Sequence, residues 1–149
     1  MLYALVKNDM VLRVHDFPDD LPPALFTEKG RWVPFYVEEP PDYDPDVFEC
    51  KQTVTVLPSR VEQGWELVAR PLADVKTALV RRLKSLTEAA ILAEAPDYKQ
   101  RSAALGVYST EEVSRIRNVI LTHKAACDAK EAAILAATGH VDAVAGLEA

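Results

Sequence analysis

Residues 109–139, STEEVSRIRNVILTHKAACDAKEAAILAATG, decide the fold of the C-terminal half of the chain. The stretch begins with a capping box. In it, the Ser109 hydroxyl is expected to accept a hydrogen bond from the amide of Glu112, and the Glu112 carboxylate is expected to reach back to the amide of Ser109. It ends at Gly139, where a left-handed C-terminal cap is expected. These signals predict one helix of about seven turns.

Within this helix, seven-residue spacing defines a seam. The a positions are Val113, Ile120, Cys127 and Ile134, and the d positions are Ile116, His123, Lys130 and Ala137. The a positions are mostly β-branched, whereas the d positions become polar at His123 and Lys130. The pattern predicts a helix that packs against other helices rather than one that carries catalytic groups.

A second long helix is predicted on the N-terminal side. After Pro71 the apolar spacing changes from about two residues to about 3.6. Pro96 interrupts this helix, and residues 97–105 predict a short helix closed by Gly106. The long helices can pair as an antiparallel hairpin within one chain or in a bundle across several chains. The predicted helix–helix interface comprises Leu72, Val75, Leu79, Leu83, Leu86, Val113, Ile116, Ile120, Cys127 and Ile134.

Residues 1–70 carry strand signals instead. Residues 1–15 predict a β-hairpin that turns at Asn8 and Asp9, because both residue types tolerate left-handed backbone. Residues 17–30 predict an irregular connection, and Pro34 limits a strand at 32–37 to a sheet edge. Residues 48–57 and 65–69 predict a second hairpin that turns at 58–64. The expected core of this domain comprises Tyr3, Trp32, Val54, Val56 and Trp65.

These patterns predict an α+β fold with two domains. Residues 1–70 form a small β-rich docking domain in this interpretation. Residues 71–149 form a helical association module, built as a long-helix hairpin that resembles a coiled coil.

Composition excludes several classes of function. The chain has 149 residues, a net charge of −6 and a pI near 5.1, which disfavours nucleic acid as a partner. No apolar run reaches about eighteen residues, so no transmembrane helix is expected. The N-terminus lacks the basic region of a signal peptide, so we expect a protein made in the cytoplasm. Two cysteines far apart in sequence predict free thiols rather than a disulfide framework.

Candidate chemical groups do not form a recognisable catalytic or metal-binding motif. His15, His123 and His140 lie on different predicted elements, without the spacing of metal ligands. Cys127 shares a helix face with His123, but no third residue is positioned to orient such a pair. The alternating acids Asp42, Asp44 and Asp46 resemble the start of a calcium loop, but the required Gly and Glu are absent. Arg81, Arg82 and Lys84 are expected to form a solvated helix face. We therefore expect no enzyme activity, cofactor, metal or small-molecule substrate.

Several segments in a fixed order resemble one family. Residues 1–5 (MLYAL), 40–45 (PPDYDP), 54–56 (VTV), 65–68 (WELV), 97–101 (DYKQR) and 104–108 (ALGVY) resemble the N-terminal modules of tailed-bacteriophage tail-fibre and related tail proteins. The resemblance implies a structural component of the virion tail. It also implies a homo-oligomer with threefold symmetry and other phage tail proteins as partners. The sequence ends at Ala149 without a receptor-binding distal part, which favours a small tail-fibre or baseplate adaptor.

This family resemblance leaves two functions open. The first is a non-enzymatic tail component that is assembled in the host cytoplasm and retained in the virion. The alternative is a tail-fibre assembly chaperone that is absent from the finished particle.

Overall fold

The computed structural model describes residues 1–17, 26–27 and 29–148, and it shows an α+β fold. The chain divides into two compact units, Met1–Ala69 and Arg70–Ala149, which we call the sheet unit and the helical unit. The strands are β1 (Leu2–Lys7), β2 (Met10–Asp16), β3 (Phe26–Thr27), β4 (Gly30–Val37), β5 (Phe48–Val56) and β6 (Val61–Ala69). The helices are α1 (Leu72–Glu94), α2 (Asp97–Ala104), α3 (Thr110–Ala136) and α4 (His140–Glu148). The connection predicted for 17–30 lies largely outside the described residues.

The first hairpin forms where it was predicted. β1 and β2 are antiparallel and are joined through Asn8 and Asp9, which have φ angles of 53° and 57°. Two consecutive residues with positive φ are the signature of the tight turn that matches strand twist. A register shift after Leu5 marks a bulge in the pairing of these strands.

β4 is a central strand, so the prediction that residues 32–37 form an edge strand is wrong. The strand order is β2-β1-β4-β6-β5, and the short β3 also pairs with β4. Arg31 to Pro34 pair with β1 in antiparallel orientation, whereas Phe35 to Val37 pair with β6 in parallel orientation. Pro34 therefore lies at the junction of two ladders, where the missing amide hydrogen of proline can be accommodated.

β5 and β6 form the second predicted hairpin, although β6 begins at Val61 and the turn is shorter than predicted. Val54 does not belong to the core: it lies on β5, the end strand in the order above, and 49% of its surface is exposed. Trp65 is half-buried, and its indole nitrogen donates a hydrogen bond to the backbone oxygen of Glu38 over 2.9 Å. That bond fixes the chain at the point where it leaves β4.

The core of the sheet unit is small and aliphatic. Ala4, Val6, Val33 and Val61 are buried together, and Val56 packs against them. Tyr3 is also buried, and its ring makes an edge contact with the ring of Phe17. Phe17 makes a second edge contact with the half-buried Trp32, with 5.1 Å between ring centroids. Aromatic pairs of this geometry add to the stability obtained from area burial.

In the helical unit, α1 and α3 lie antiparallel. The ammonium group of Lys76, near the start of α1, donates to the backbone oxygen of Leu135 at the end of α3 over 2.7 Å. Glu94, the last residue of α1, lies 2.8 Å from the Nε2 atom of His123 in the middle of α3. The heptad seam of α3 is thus used, at least in part, within a single chain.

The two ends of α3 differ in how well they were predicted. The Ser109 hydroxyl accepts from the amide of Glu112 over 3.3 Å, as expected. Both Glu112 carboxylate oxygens, however, accept hydrogen bonds from the side chain of Arg115. The prediction of a left-handed cap at Gly139 is wrong: the helix ends at Ala136, and Gly139 does not have a positive φ. Its carbonyl oxygen instead accepts from the amide of Ala143, inside α4.

α4 was not predicted, and it is held by contacts to the other helices. The Nε2 atom of His140 lies 2.7 Å from the backbone oxygen of Arg70, next to the start of α1. Lys130 of α3 donates to the backbone oxygen of Leu147, near the end of α4. Neither α3 nor α4 has a basic residue in its own last turn, so Lys76 and Lys130 supply the cations that the negative helix ends favour.

Candidate functional site

The helical unit has a closed half and an open half. We call the end that holds α4 the proximal half and the end that holds α2 the distal half. Proximal core residues are almost completely buried: Val75, Leu79, Leu83 and Ile134 are each at most 5% exposed. Of the apolar residues of α3 N-terminal to Cys127, only Ile116 is buried, while Val113 and Ile120 are half-buried. The α1–α3 pair is therefore fully covered at one end only.

α4 is the element that closes the proximal half. Its Ala143 is completely buried, and its Gly146 lies so close to α3 that an added Cβ would be 3.0 Å from the backbone nitrogen of Ile134. Such close approach is possible because these positions carry small side chains. A short helix with small residues can thus cover α1 and α3 closely enough to bury the residues between them.

A groove remains open in the distal half, and we call it the distal groove. It consists of two adjoining cavities of about 380 and 230 Å³, which share Gln100 and Ile120. The first is also lined by Lys84, Thr87, Glu88, Ile91, Leu92, Asp97 and Cys127. The second is also lined by Ala103, Ala104, Val113, Ile116, Arg117 and Leu121.

α2 lines one side of the distal groove without closing it. Ala103 and Ala104 of α2 line the second cavity together with Val113 and Ile120 of α3. The side chain of Gln100 is engaged elsewhere, because its amide nitrogen donates to the backbone oxygen of Ala95 over 2.6 Å. Most of the exposed area of the groove walls is apolar. An apolar concave surface is typical of a binding surface rather than of a solvated one.

Charged groups near the groove are largely paired within the unit. Lys84 donates to the Glu131 carboxylate over 2.9 Å, and this hydrogen bond raises the pKa of the Lys84 ammonium group. At the start of α3, the hydrogen bond from Arg115 lowers the pKa of Glu112. Both are surface ion pairs that orient side chains.

The residues predicted for the helix–helix interface have three different environments. Val75, Leu79, Leu83, Ile116, Cys127 and Ile134 are buried in the helical unit. Leu72 is half-buried, and Val113 and Ile120 are half-buried in the wall of the distal groove. Leu86 is 55% exposed and is not part of the contact between α1 and α3. The reason is that the buried stripe advances by four residues from Leu79 through Leu83 to the half-buried Thr87, which leaves Leu86 outside it.

Of the fifteen groove residues, only Val113, Ile116, Ile120 and Cys127 were in the predicted interface. The eleven that sequence reasoning missed include Ile91, Leu92, Gln100, Arg117 and Leu121. Leu121 lies outside the heptad seam but next to Ile120, and it is 52% exposed. An apolar residue beside a seam position is the only sequence signal that could have indicated a second apolar surface on α3.

The sheet unit presents a separate apolar surface on β2. Among the described strands, β2 has a neighbour on one side only. Met10, Leu12 and Val14 on this strand are 61%, 51% and 39% exposed. An edge strand with exposed apolar side chains is a surface on which another chain can add.

The structure shows the local contacts of several groups that were considered for chemistry. The described residues contain no cluster of three or more His, Cys, Asp or Glu side chains that could hold a metal ion. A carboxylate oxygen of Asp44 accepts from the amide of Asp46 over 2.9 Å, which makes the acidic segment a turn. The ring of His15 packs against the ring of Phe17 at 4.7 Å between centroids.

No family model, curated protein or solved structure matches this chain. Among the described helices, none is both long enough and apolar enough to cross a membrane.

Proposed function

We propose that this chain is a non-enzymatic structural component of a bacteriophage tail, acting as a tail-fibre or baseplate adaptor. The family is proposed from the resemblance of residues 1–5, 40–45 and 97–108 to tail proteins. The observation that carries the adaptor role is the apolar edge strand β2, with Met10 and Leu12 each more than half exposed. In this proposal β2 docks to another tail protein by adding its edge to that protein.

The helical unit supplies association in the same proposal. We infer that α1 and α3 act as a helical hairpin with coiled-coil-like packing, supported by the burial of Leu79, Leu83 and Ile134 between them. The chain then forms a homo-oligomer, for which the resemblance implies threefold symmetry. Its place is the virion tail, after assembly in the host cytoplasm. No nucleic acid, membrane or small-molecule substrate takes part.

Mass spectrometry of purified phage particles tests the location. The proposal expects the chain at a fixed copy number per particle after extensive washing. Its absence from particles that are complete and infectious would overturn the structural role.

A matched pair of variants tests the docking strand. Leu12→Lys on β2 is expected to abolish incorporation into particles, because a charge must be desolvated in the contact. Val54→Lys is the control, since Val54 is 49% exposed on β5 at the other end of the sheet. Equal incorporation of both variants would refute docking through β2.

One observation favours a second candidate function, that of an assembly chaperone. Ile116, Cys127 and Ile134 of the seam are buried within one chain, so the helical unit can fold without a permanent assembly around it. A chaperone needs this independence, because it acts transiently. The particle measurement separates the two functions, since a chaperone binds tail proteins in lysates of infected cells but is absent from particles.

A further inference from the structure

We propose that the distal groove is a homotypic contact, in which a second copy of this chain covers the open half of the helical unit. The inference rests on the association role proposed above and deepens it by naming the surface and the occupant. The predicted seam does not serve this purpose on its own, because Leu79, Leu83 and Ile134 are already buried within one chain.

The α1–α3 pair is buried unequally along its length. α4 covers the proximal half and brings Val75, Leu79 and Ile134 to complete burial. In the distal half, α2 lies against α3 and Ile116 is buried. Ile91 and Ile120 nevertheless stay half-buried, and Leu92 and Leu121 are 40% and 52% exposed. A helix of a second copy would cover the distal groove and bury its apolar residues, as α4 does at the proximal end. Each Leu or Ile that becomes fully buried there removes apolar surface from water, which favours association.

Charge is distributed unevenly between the two units. Residues 1–69 hold 13 acidic and 6 basic side chains, whereas residues 70–149 hold 10 acidic and 11 basic ones. The sheet unit therefore has a net charge of −7, whereas the helical unit has a net charge of +1 and is close to neutral. Two helical units can approach each other without net repulsion, whereas a strongly charged partner gains nothing from this surface.

The groove itself has complementary ends. Glu88 lines the first cavity and Arg117 lines the second, and neither has an ion pair within the described part of the chain. A second copy can place its Arg117 against Glu88 of the first copy. This pairing can repeat across a two-fold axis or around a closed ring, so it is compatible with the threefold assembly that the resemblance implies.

Light scattering coupled to size exclusion on the full chain tests the contact. The wild type is expected to have the mass of two or more chains. Leu121→Glu is expected to raise the dissociation constant at least about thirtyfold, the effect of removing an interface hot spot. Leu135→Glu is the control: Leu135 is on the same helix and 55% exposed, but it lies in the proximal half. A wild type that stays a monomer at every concentration, or equal dissociation of both variants, overturns the inference.

A charge exchange provides an independent check that does not depend on the groove leucine. Arg117→Glu is expected to dissociate the assembly, and adding Glu88→Arg to it is expected to restore the wild-type mass. Failure of the double variant to recover, with circular dichroism showing unchanged helix content, refutes the pairing. A monomeric wild type would end this inference but leave the particle measurement of the proposed function unaffected.

Discussion

Replacing Ile134 by alanine tests whether the seam of α3 is buried within one chain. Ile134 is completely buried, and it lies against Gly146 of α4. The change removes three carbon groups at about 0.8 kcal/mol each, or about 2.4 kcal/mol in total. The cavity that is left raises the expected loss in free energy of unfolding to about 3–4 kcal/mol.

The neighbouring residue is the matched control. Leu135→Ala removes a side chain of the same size from the same turn, but 55% of Leu135 is exposed. Less than half of its transfer energy is lost, and alanine is the better helix former, so the expected cost is under about 1 kcal/mol. The hydrogen bond from Lys76 is unaffected, since it is accepted by the Leu135 backbone oxygen.

Urea unfolding of the full chain, followed by circular dichroism at a single protein concentration, measures both values. The signal reports on the helical unit because the sheet contributes little to it. A cost below about 1 kcal/mol for Ile134→Ala, or equal costs for the two variants, would show that this face of α3 is not packed against α1 and α4.

Four further substitutions test local features of the fold. Gly30→Ala is expected to destabilise the sheet unit by about 3 kcal/mol, because Gly30 has a φ of 147° and an added Cβ would lie 2.5 Å from a backbone oxygen. Gly64→Ala should cost under about 1 kcal/mol, because the atoms nearest to the added Cβ are the ends of side chains that can move. Thermal melts of the two glycine variants measure both costs. Asp9→Gly should raise the melting temperature of the sheet unit, since glycine adopts the positive φ of this turn without strain. The lowered pKa of Glu112 beside Arg115 stabilises the fold above the ordinary value of 4.5, and this contribution is lost as the pH falls through the lower folded value. Melts at descending pH should therefore show a shallower loss of stability for Glu112→Gln, and identical pH profiles would contradict the ion pair.

Features caused by adjacent residues could be predicted from the sequence. The left-handed turn at Asn8 and Asp9 and the cap at Ser109 depend only on side chains within a few positions. The starts of α1 and α2 after Pro71 and Pro96 are similar cases, because proline fits the beginning of a helix.

Features caused by distant residues could not be predicted in this way. Pro34 was expected at a sheet edge because proline cannot donate a hydrogen bond to a neighbouring strand. Within β4 the pairing changes from β1 to β6, and this change of partner leaves no signal in the local sequence. Gly139 was taken as the C-terminal cap of the long helix and no helix was predicted after it, so α4 was missed, although His140, Ala143, Val144 and Leu147 have the spacing of one helix face. The exposure of Val54 follows from the position of β5 in the sheet order, which sequence alternation does not reveal.

The candidate site was predictable only in part for a related reason. Val113 and Ile120 were named because they are apolar at heptad positions, and both line the distal groove. At the distal end of the helical unit, α2 carries alanines and leaves the groove open. At the proximal end, α4 makes close contact with α3. An open surface depends on which elements fail to cover it, and no single segment contains that information.

The lysines that bind the ends of α3 and α4 have a consequence for how the helical unit opens. Lys76 belongs to α1 and binds the end of α3, while Lys130 belongs to α3 and binds the end of α4. Each helix terminus is therefore completed by a side chain that is in place only when another helix is docked. Fraying of α3 or α4 is coupled to the separation of helices, so their terminal amides should exchange hydrogen with solvent in one cooperative opening. The three helices then behave as a single folding unit rather than as a hairpin with an appended segment.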